Sequence, residues 1–218
     1  DQGYVVKTDS GIDGPAGFEG RSVGFKGSVV PAELHALLAA VNLGESDINL
    51  QSVPFDIRPF IEGQVDVFPV FLNNEPFQIR QEGVEITVID PHDFGVATLG
   101  LTLLAHEQTV NEDRDLVERF LRASLRGVAF AAANLDEAIT ITLTHAEGAD
   151  PAHQRFLLET DLANAQRADG IGRTTVDQWE ALEAMLRLYE VIEVDVDSAA
   201  AFDRSFADAL YHDDGWLR

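Results

Sequence analysis

The chain of 218 residues contains no cysteine. That excludes disulfides, thiolate metal ligands and cysteine nucleophiles. Lysine is almost missing as well: Lys7 and Lys26 are the only two, and the other cations are arginines. Any chemistry needing a Schiff-base lysine would have to use one of them. Positive charge is scarce overall, with 15 Lys plus Arg against 38 Asp plus Glu and a formal net charge of −23. A nucleic-acid partner requires a basic footprint, and docking on anionic lipid requires a basic patch, so both are excluded. No apolar run approaches the roughly 20 residues of a membrane span. No charged-then-apolar leader opens the chain, and Asp1 to Lys7 read instead as entry into a strand. The chain is therefore expected to begin downstream of a natural N-terminus. Also missing are a G-x-S-x-G elbow, a phosphate-binding loop and a G-x-G-x-x-G turn after a strand.

What is present describes a globular chain. Hydrophobic residues make up 45% and charged residues 24%, ordinary values for a packed domain. The length suits one large domain or two small ones and buries most apolar surface without staples. An acidic, lysine-poor surface keeps a protein dispersed at high ionic strength, where salt screens self-repulsion. The expected source is salt-adapted or thermophilic, with a plain secreted protein as the alternative.

From Tyr4 the pattern reads strand, then a Gly- and Asp-rich turn over Asp9–Pro15, then a second strand at Arg21–Phe25. Gly27-Ser28 leads into a helix with Pro31 in its first turn. Its apolar positions are Leu34, Leu37, Leu38 and Val41, and Ser28 is the expected cap. Such a strand–turn–helix junction favours an anion or a polar ligand edge. Ile48–Val53 alternates as a strand, Phe55–Glu62 reads as a short helix, and Val65–Leu72 as a buried strand. That strand ends abruptly in Asn73-Asn74-Glu75. Pro76–Gln81 is a helix closed by Gly83, and Val84–Ile89 a strand. Residues 21–89 thus alternate β and α, which predicts a parallel or mixed sheet flanked by helices. Val96–Ala105 reads as a further strand. Helices are expected over Arg114–Ala133, Leu135–Thr144 (with strand left open by Ile-Thr-Ile-Thr), Asp150–Gln166, Val176–Tyr189 and Ser198–Tyr211. Residues 168–172 read as a loop.

In such a sheet ligands sit beyond the carboxyl ends of the strands. Gly27-Ser28, Phe71 with Asn73-Asn74-Glu75, and Asp93-Phe94 all follow strands of the one unit, so they are expected at one edge. A few polar groups beside aromatic walls suit a flat polar heterocycle. Phe25, Phe71, Phe77 and Phe94 are the candidate walls, half of them expected in the core. The alternative for Asn73–Glu75 is a solvated turn. Asp66 reads as a strand residue hydrogen-bonded at the sheet edge. The histidines, His35, His92, His106, His145, His153 and His212, form no HExxH or His-x-His pattern. They read as surface or cap residues, with neither metal nor cofactor expected.

The order of motifs resembles a known family. Ser10-Gly11-Ile12, Gly20-Arg21-Ser22-Val23-Gly24, Gly27-Ser28, Glu62–Val67, Asn74-Glu75-Pro76, Asp93-Phe94-Gly95, Val117–Gly127 and Asn134–Ala138 are similar to ABC-transporter substrate-binding proteins. The branch is that of alkanesulfonate and thiamine-precursor binders, named for fungal hydroxymethylpyrimidine phosphate synthase. The resemblance runs from about residue 4 to 190 and implies a periplasmic-binding-protein type II clamshell. Residues 11–99 would be lobe 2. Residues 1–10 and 100–218 would be a partial lobe 1 with the hinge, near Val5–Ser10 and Phe94–Leu101, and the C-terminal helices. The family's lobe 1 begins with further βαβ units, so half of the binding residues are expected outside this chain.

The resemblance also implies a small-molecule ligand in an interlobe cleft, a membrane permease and ATPase as partners, and a periplasmic or cell-surface location, lipoprotein anchoring included. Synthase members use a cysteine-rich motif, which this chain lacks, so a binding role rather than an enzymatic one is expected. Glu75 and the Asn pair suit a thiamine pyrimidine precursor or a riboflavin-like flavin. They suit a bare alkanesulfonate or nitrate poorly, because a carboxylate repels an anion. A pyrimidine-related enzyme and a sensor module on the same fold are the remaining alternatives.

Overall fold

The structure is a computed structural model that describes residues 2–96, 98–165, 167, 170–192 and 201–211. The chain divides into two compact units, Asp1–Gly100 with Glu180–Asp195, and Leu101–Trp179 with Val196–Arg218.

The first unit is built on a five-stranded mixed sheet. Its strands are β1 (Gln2–Lys7), β2 (Ser22–Lys26), β3 (Asn49–Val53), β4 (Val67–Phe71) and β5 (Ile86–Ile89), in the order β3-β2-β4-β1-β5. β2 runs parallel to β3 and β4, while β1 lies antiparallel between β4 and β5. Strand β1, expected beside the hinge, is thus a full central member of this sheet. Both faces are covered, as the near-continuous apolar runs of central strands require. Tyr4, Val6, Val23, Val67 and Ile89 face a core with Ile12, Phe18, helix α1 (Ala32–Ala39) and Met185. Val5, Val53, Phe68, Val70 and Ile86 face the other, with Phe60 of α2 (Arg58–Ile61) and Ile79 of α3 (Glu75–Gln81). Alternate residues of β1 therefore serve opposite cores, the period-two rule of a strand.

Four expectations are corrected. Ser28 caps no helix: α1 starts only after Pro31, which lies in extended conformation without a side-chain cap. Pro31 is thus the residue before the helix, and Ser28 stands exposed three residues upstream. The helix expected from Phe55 begins at Arg58, because the Asp56 carboxylate accepts from Arg58 N at 2.9 Å and starts it there. Phe55 is left outside the helix and 69% exposed. Residues 98–105 form no strand; Leu101 and Leu104 are 100% and 91% exposed. A strand exists only by pairing, and among the described residues this segment has no strand beside it. The last helix, expected from Ser198, is described as Ser205–Leu210, its start marked by Ser205 N donating to Asp203 Oδ1 at 2.8 Å. Residues 198–200, Ala168, Asp169 and His212 lie outside the described residues.

The second unit is helical. It contains α4 (Glu107–Glu112), α5 (Arg114–Ala133), α6 (Leu135–His145), α7 (Pro151–Ala165), the start of α8 (Val176–Leu188) and α9 (Ser205–Leu210). Asp113 caps α5 by accepting from Leu116 N at 3.1 Å. The Ile-Thr-Ile-Thr run of α6 is helix, not strand. Its hydroxyls turn back on the helix, Thr140 donating to Asp136 O at 2.8 Å and Thr142 to Ala138 O at 3.0 Å. Leu125, Leu210 and Tyr211 form a small core with Leu121 and Ile171, locked by the Tyr211 hydroxyl donating to Ile171 O at 2.6 Å.

Candidate functional site

Because β2, β3, β4 and β5 all run the same way, their carboxyl ends share one edge of the sheet. The loops opening at Gly27, Pro54, Leu72 and Asp90 therefore line that edge. The antiparallel β1 brings Gln2 there too, opposite Phe71.

At this edge β2 ends in Lys26 and α3 begins with Glu75. Their side chains form an ion pair, Nζ to Oε1 at 2.5 Å, with Lys26 11% and Glu75 3% exposed. Glu75 Oε2 accepts from Phe71 N at 2.8 Å. One carboxylate thus ties the end of β4 to the end of β2 while serving as the first residue of α3. Acids are favoured in a helix's first turn, where free N–H groups carry partial positive charge. Around the ammonium stand three phenylalanine rings: Phe68, Phe55 and Phe71, with centroids 5.2, 5.4 and 5.6 Å from Nζ. These are cation–π distances. Phe68 is fully buried, whereas Phe55 and Phe71 are 69% and 38% exposed. The edge therefore presents two exposed aromatic rings beside a nearly buried, charge-paired lysine. It can stack a flat ring and offer its rim an N–H donor.

Residues 1–138 match the family model described as NMT1/THI5 like. The chain belongs to the NMT1/THI5-like family. Among curated proteins, this member is 33% identical over 215 residues to the riboflavin-binding protein RibY of Chloroflexus aurantiacus. The match covers 93% of this chain and 60% of that protein. It is 28% identical over 200 residues to the formylaminopyrimidine-binding protein of Halalkalibacterium halodurans, covering 88% and 61%. The chain thus spans about 60% of the length of these relatives. Among solved structures it is similar to the periplasmic aliphatic sulphonate binding protein SsuA of Escherichia coli. The TM-score is 0.67 at 17% identity, covering 92% of this chain and 64% of that one. The desulfurization enzyme DSZB has a TM-score of 0.59 at 14% identity, covering 95% and 75%. The fold of this family member is accordingly that of SsuA-type periplasmic binding proteins.

In this NMT1/THI5-like chain the sequence-predicted residues fall unevenly around the edge. Gly27 and Ser28 are exposed in the loop after β2; Gly27 holds a φ of 94°, a conformation natural only to glycine. Phe71 is one of the two open rings. Asn73 and Asn74 are half-buried in the following turn, where Asn74 Oδ1 accepts from Gln78 Nε2 at 3.0 Å. Glu75, expected to face a ligand, turns inward instead. Both its oxygens are engaged and it is almost fully covered, so it acts through Lys26. Asp93 is exposed in the loop after β5. Phe94 packs against the first core, near Gly14, rather than opening onto the edge.

Lys26 and Phe55 were missed. In the sequence Lys26 stands out only as one of two lysines available for Schiff-base chemistry, and Phe55 as the start of a helix. The available signal was the position of Lys26, one of only two lysines, directly before Gly27-Ser28. Asp66 is likewise an internal tie, its Oδ2 accepting from Ser22 Oγ at 2.6 Å and Ser22 N at 2.9 Å. Burial raises its pKa, but the two Ser22 bonds and the charge of Arg21 outweigh that and hold it below the usual carboxylate value. Among the described residues no group of three or more His, Asp and Glu is placed to hold a metal.

Proposed function

We propose that this chain is the ligand-bearing portion of a solute-binding protein of an ABC importer, and that its solute is a flat heterocycle. The pair of exposed rings, Phe55 and Phe71, next to the Lys26 ammonium is the observation that carries this reading. Stacking on such faces contributes about 0.5–1.5 kcal/mol per aromatic pair beyond buried area. Gly27, Ser28, Asn73, Asn74 and Asp93 border the same edge and are the proposed neighbours of the ligand's rim. Riboflavin and formylaminopyrimidine, the ligands in the names of the two curated relatives, are flat heterocycles with acceptor atoms on the rim, as are thiamine pyrimidine precursors. The unit of Asp1–Gly100 with Glu180–Asp195 would serve as the second lobe in place of 11–99 alone, since β1 belongs to its sheet, and the unit of Leu101–Trp179 with Val196–Arg218 as part of the first, in place of 1–10 and 100–218. The permease and ATPase partners, and an extracytoplasmic location, follow from the same reading. No helix among the described residues is long and apolar enough to cross a membrane.

The test is thermal unfolding of the complete protein with riboflavin, formylaminopyrimidine, hydroxymethylpyrimidine, thiamine and taurine. A ligand of the native state raises the melting temperature. Riboflavin or a pyrimidine is expected to do so. Phe55→Ala should lower unliganded stability by about 0.5–2 kcal/mol, the loss of one ring at Lys26, and weaken binding about tenfold, the loss of one stacked face. No response to any of the five solutes would sink the proposal. A second reading, a sulfonate or nitrate binder, draws on the cation at Lys26. It is opposed by Glu75, which cancels that charge at 2.5 Å.

A further inference from the structure

We infer that the Lys26–Glu75 pair is the charge-selection element of this site. It admits uncharged heteroaromatic solutes by donating from the ammonium, and it turns away bare anions because its net charge is zero. The inference rests on the proposed binding edge and goes further in assigning selectivity to two residues.

Three observations carry it. Lys26 is nearly enclosed, with ring faces on three sides and the Glu75 carboxylate bonded to Nζ. An ammonium has three N–H donors. Among the described residues Glu75 is the one hydrogen-bond acceptor recorded for this lysine, which leaves donor capacity for a ligand carbonyl or ring nitrogen. An anion needs uncompensated positive charge to offset its lost hydration. Here that charge is matched by a carboxylate which is itself held in place by Phe71 N at 2.8 Å. It therefore cannot swing aside without leaving Phe71 N, at the end of β4, without this acceptor. Phenylalanine quadrupoles, negative on their faces, deter an anion further. Glu75 is thus a positioning and charge-cancelling residue, and Lys26 the one that touches ligand.

The test removes the cancelling charge and uses simple anions, so it does not depend on the natural solute. Glu75→Gln keeps an acceptor for Phe71 N and leaves Lys26 unbalanced. The complete protein is melted in sodium sulfate and in methanesulfonate, with sodium chloride at equal ionic strength as reference. Wild type is expected to show no specific stabilisation. Glu75→Gln should rise by about 4 °C once the anion reaches roughly twenty times its dissociation constant. The double variant Lys26→Gln, Glu75→Gln should lose that response. Lys26→Gln supplies an independent arm should Glu75→Gln fail to fold: it leaves a carboxylate among three rings and should gain stabilisation from tetramethylammonium. Equal anion responses in wild type and Glu75→Gln, or no tetramethylammonium response from Lys26→Gln, would overturn the inference. Neither result bears on whether a heterocycle binds, which the solute panel decides separately.

Discussion

Removing either partner of the Lys26–Glu75 pair should cost the protein unequally, and the structure sets the order. In Lys26→Met the carboxylate of Glu75, 3% exposed, keeps only the Phe71 N–H. Stranding one member of a buried ion pair costs about 3–5 kcal/mol, a large share of the roughly 5–15 kcal/mol by which domains are stable. In Glu75→Gln the amide oxygen still accepts from Phe71 N. The ammonium keeps three ring faces at 5.2–5.6 Å, worth about 0.5–2 kcal/mol each when desolvated, so the loss should be nearer 2 kcal/mol. The double variant Lys26→Met, Glu75→Gln strands no charge and should sit within about 1–2 kcal/mol of wild type. The cycle then returns a coupling of about 3 kcal/mol or more. Urea unfolding of the complete protein followed by circular dichroism reads all four species. A Lys26→Met loss below about 1 kcal/mol, which requires Glu75 to be solvated, or Glu75→Gln proving the more costly change, which requires the rings to leave the ammonium uncompensated, would refute the reasoning.

Three further outcomes are expected. Gly24→Ala in β2 would set its new methyl 3.0 Å from Pro69 Cδ and 3.2 and 3.3 Å from the Val53 methyls. None of these can move cheaply, so a loss of about 1–3 kcal/mol follows and the melting temperature should fall. Gly127→Ala in α5, where nothing lies within 4 Å, should instead stabilise by about 0.5–1 kcal/mol. Ser22→Ala tests the Asp66 tie through pH. A carboxylate held below its ordinary 3.8 adds stability that is present above that value and lost as pH falls through the depressed one. The variant should therefore melt below wild type at pH 7, by an amount corresponding to about 1 kcal/mol for one partly exposed charge-assisted bond. The gap should close below about pH 4; a gap that persists in acid would place the Ser22 contribution elsewhere.

The sheet was readable because its signals are local. Pro31 and the Leu34, Leu37, Leu38 spacing announce α1, and the abrupt end of Val67–Phe71 announces the edge of the sheet. The shared direction of β2, β4 and β5 follows from their helical crossovers. Pairwise facts separated in the chain were not readable. Whether Glu75 faces solvent or core depends on Lys26, and whether Lys26 is solvated depends on Phe55, Phe68 and Phe71, which converge only after folding. Phe94 looked like a wall of the site because it follows Asp93, yet it packs on the core of α1. The run from Val96 to Ala105 has strand composition, but strand formation is a property of a pair. Its β-branched and leucine side chains could not reveal that no neighbour would be at hand among the described residues.

The position of β1 has a kinetic consequence. It precedes the other four strands of this sheet in sequence, yet it lies between β4 and β5, so Gln2 must wait for Phe71 and Tyr4 for Ile89. The β2–α1–β3 and β4 segments can assemble on nearby contacts, but β5 has no partner among them and joins only through β1. Among the strand pairings, the closing event therefore carries the longest loop entropy, which places it late in sheet assembly and makes it slow. Until it happens, the unpaired edges of β4 and β5 stay open to wrong pairing during synthesis and refolding.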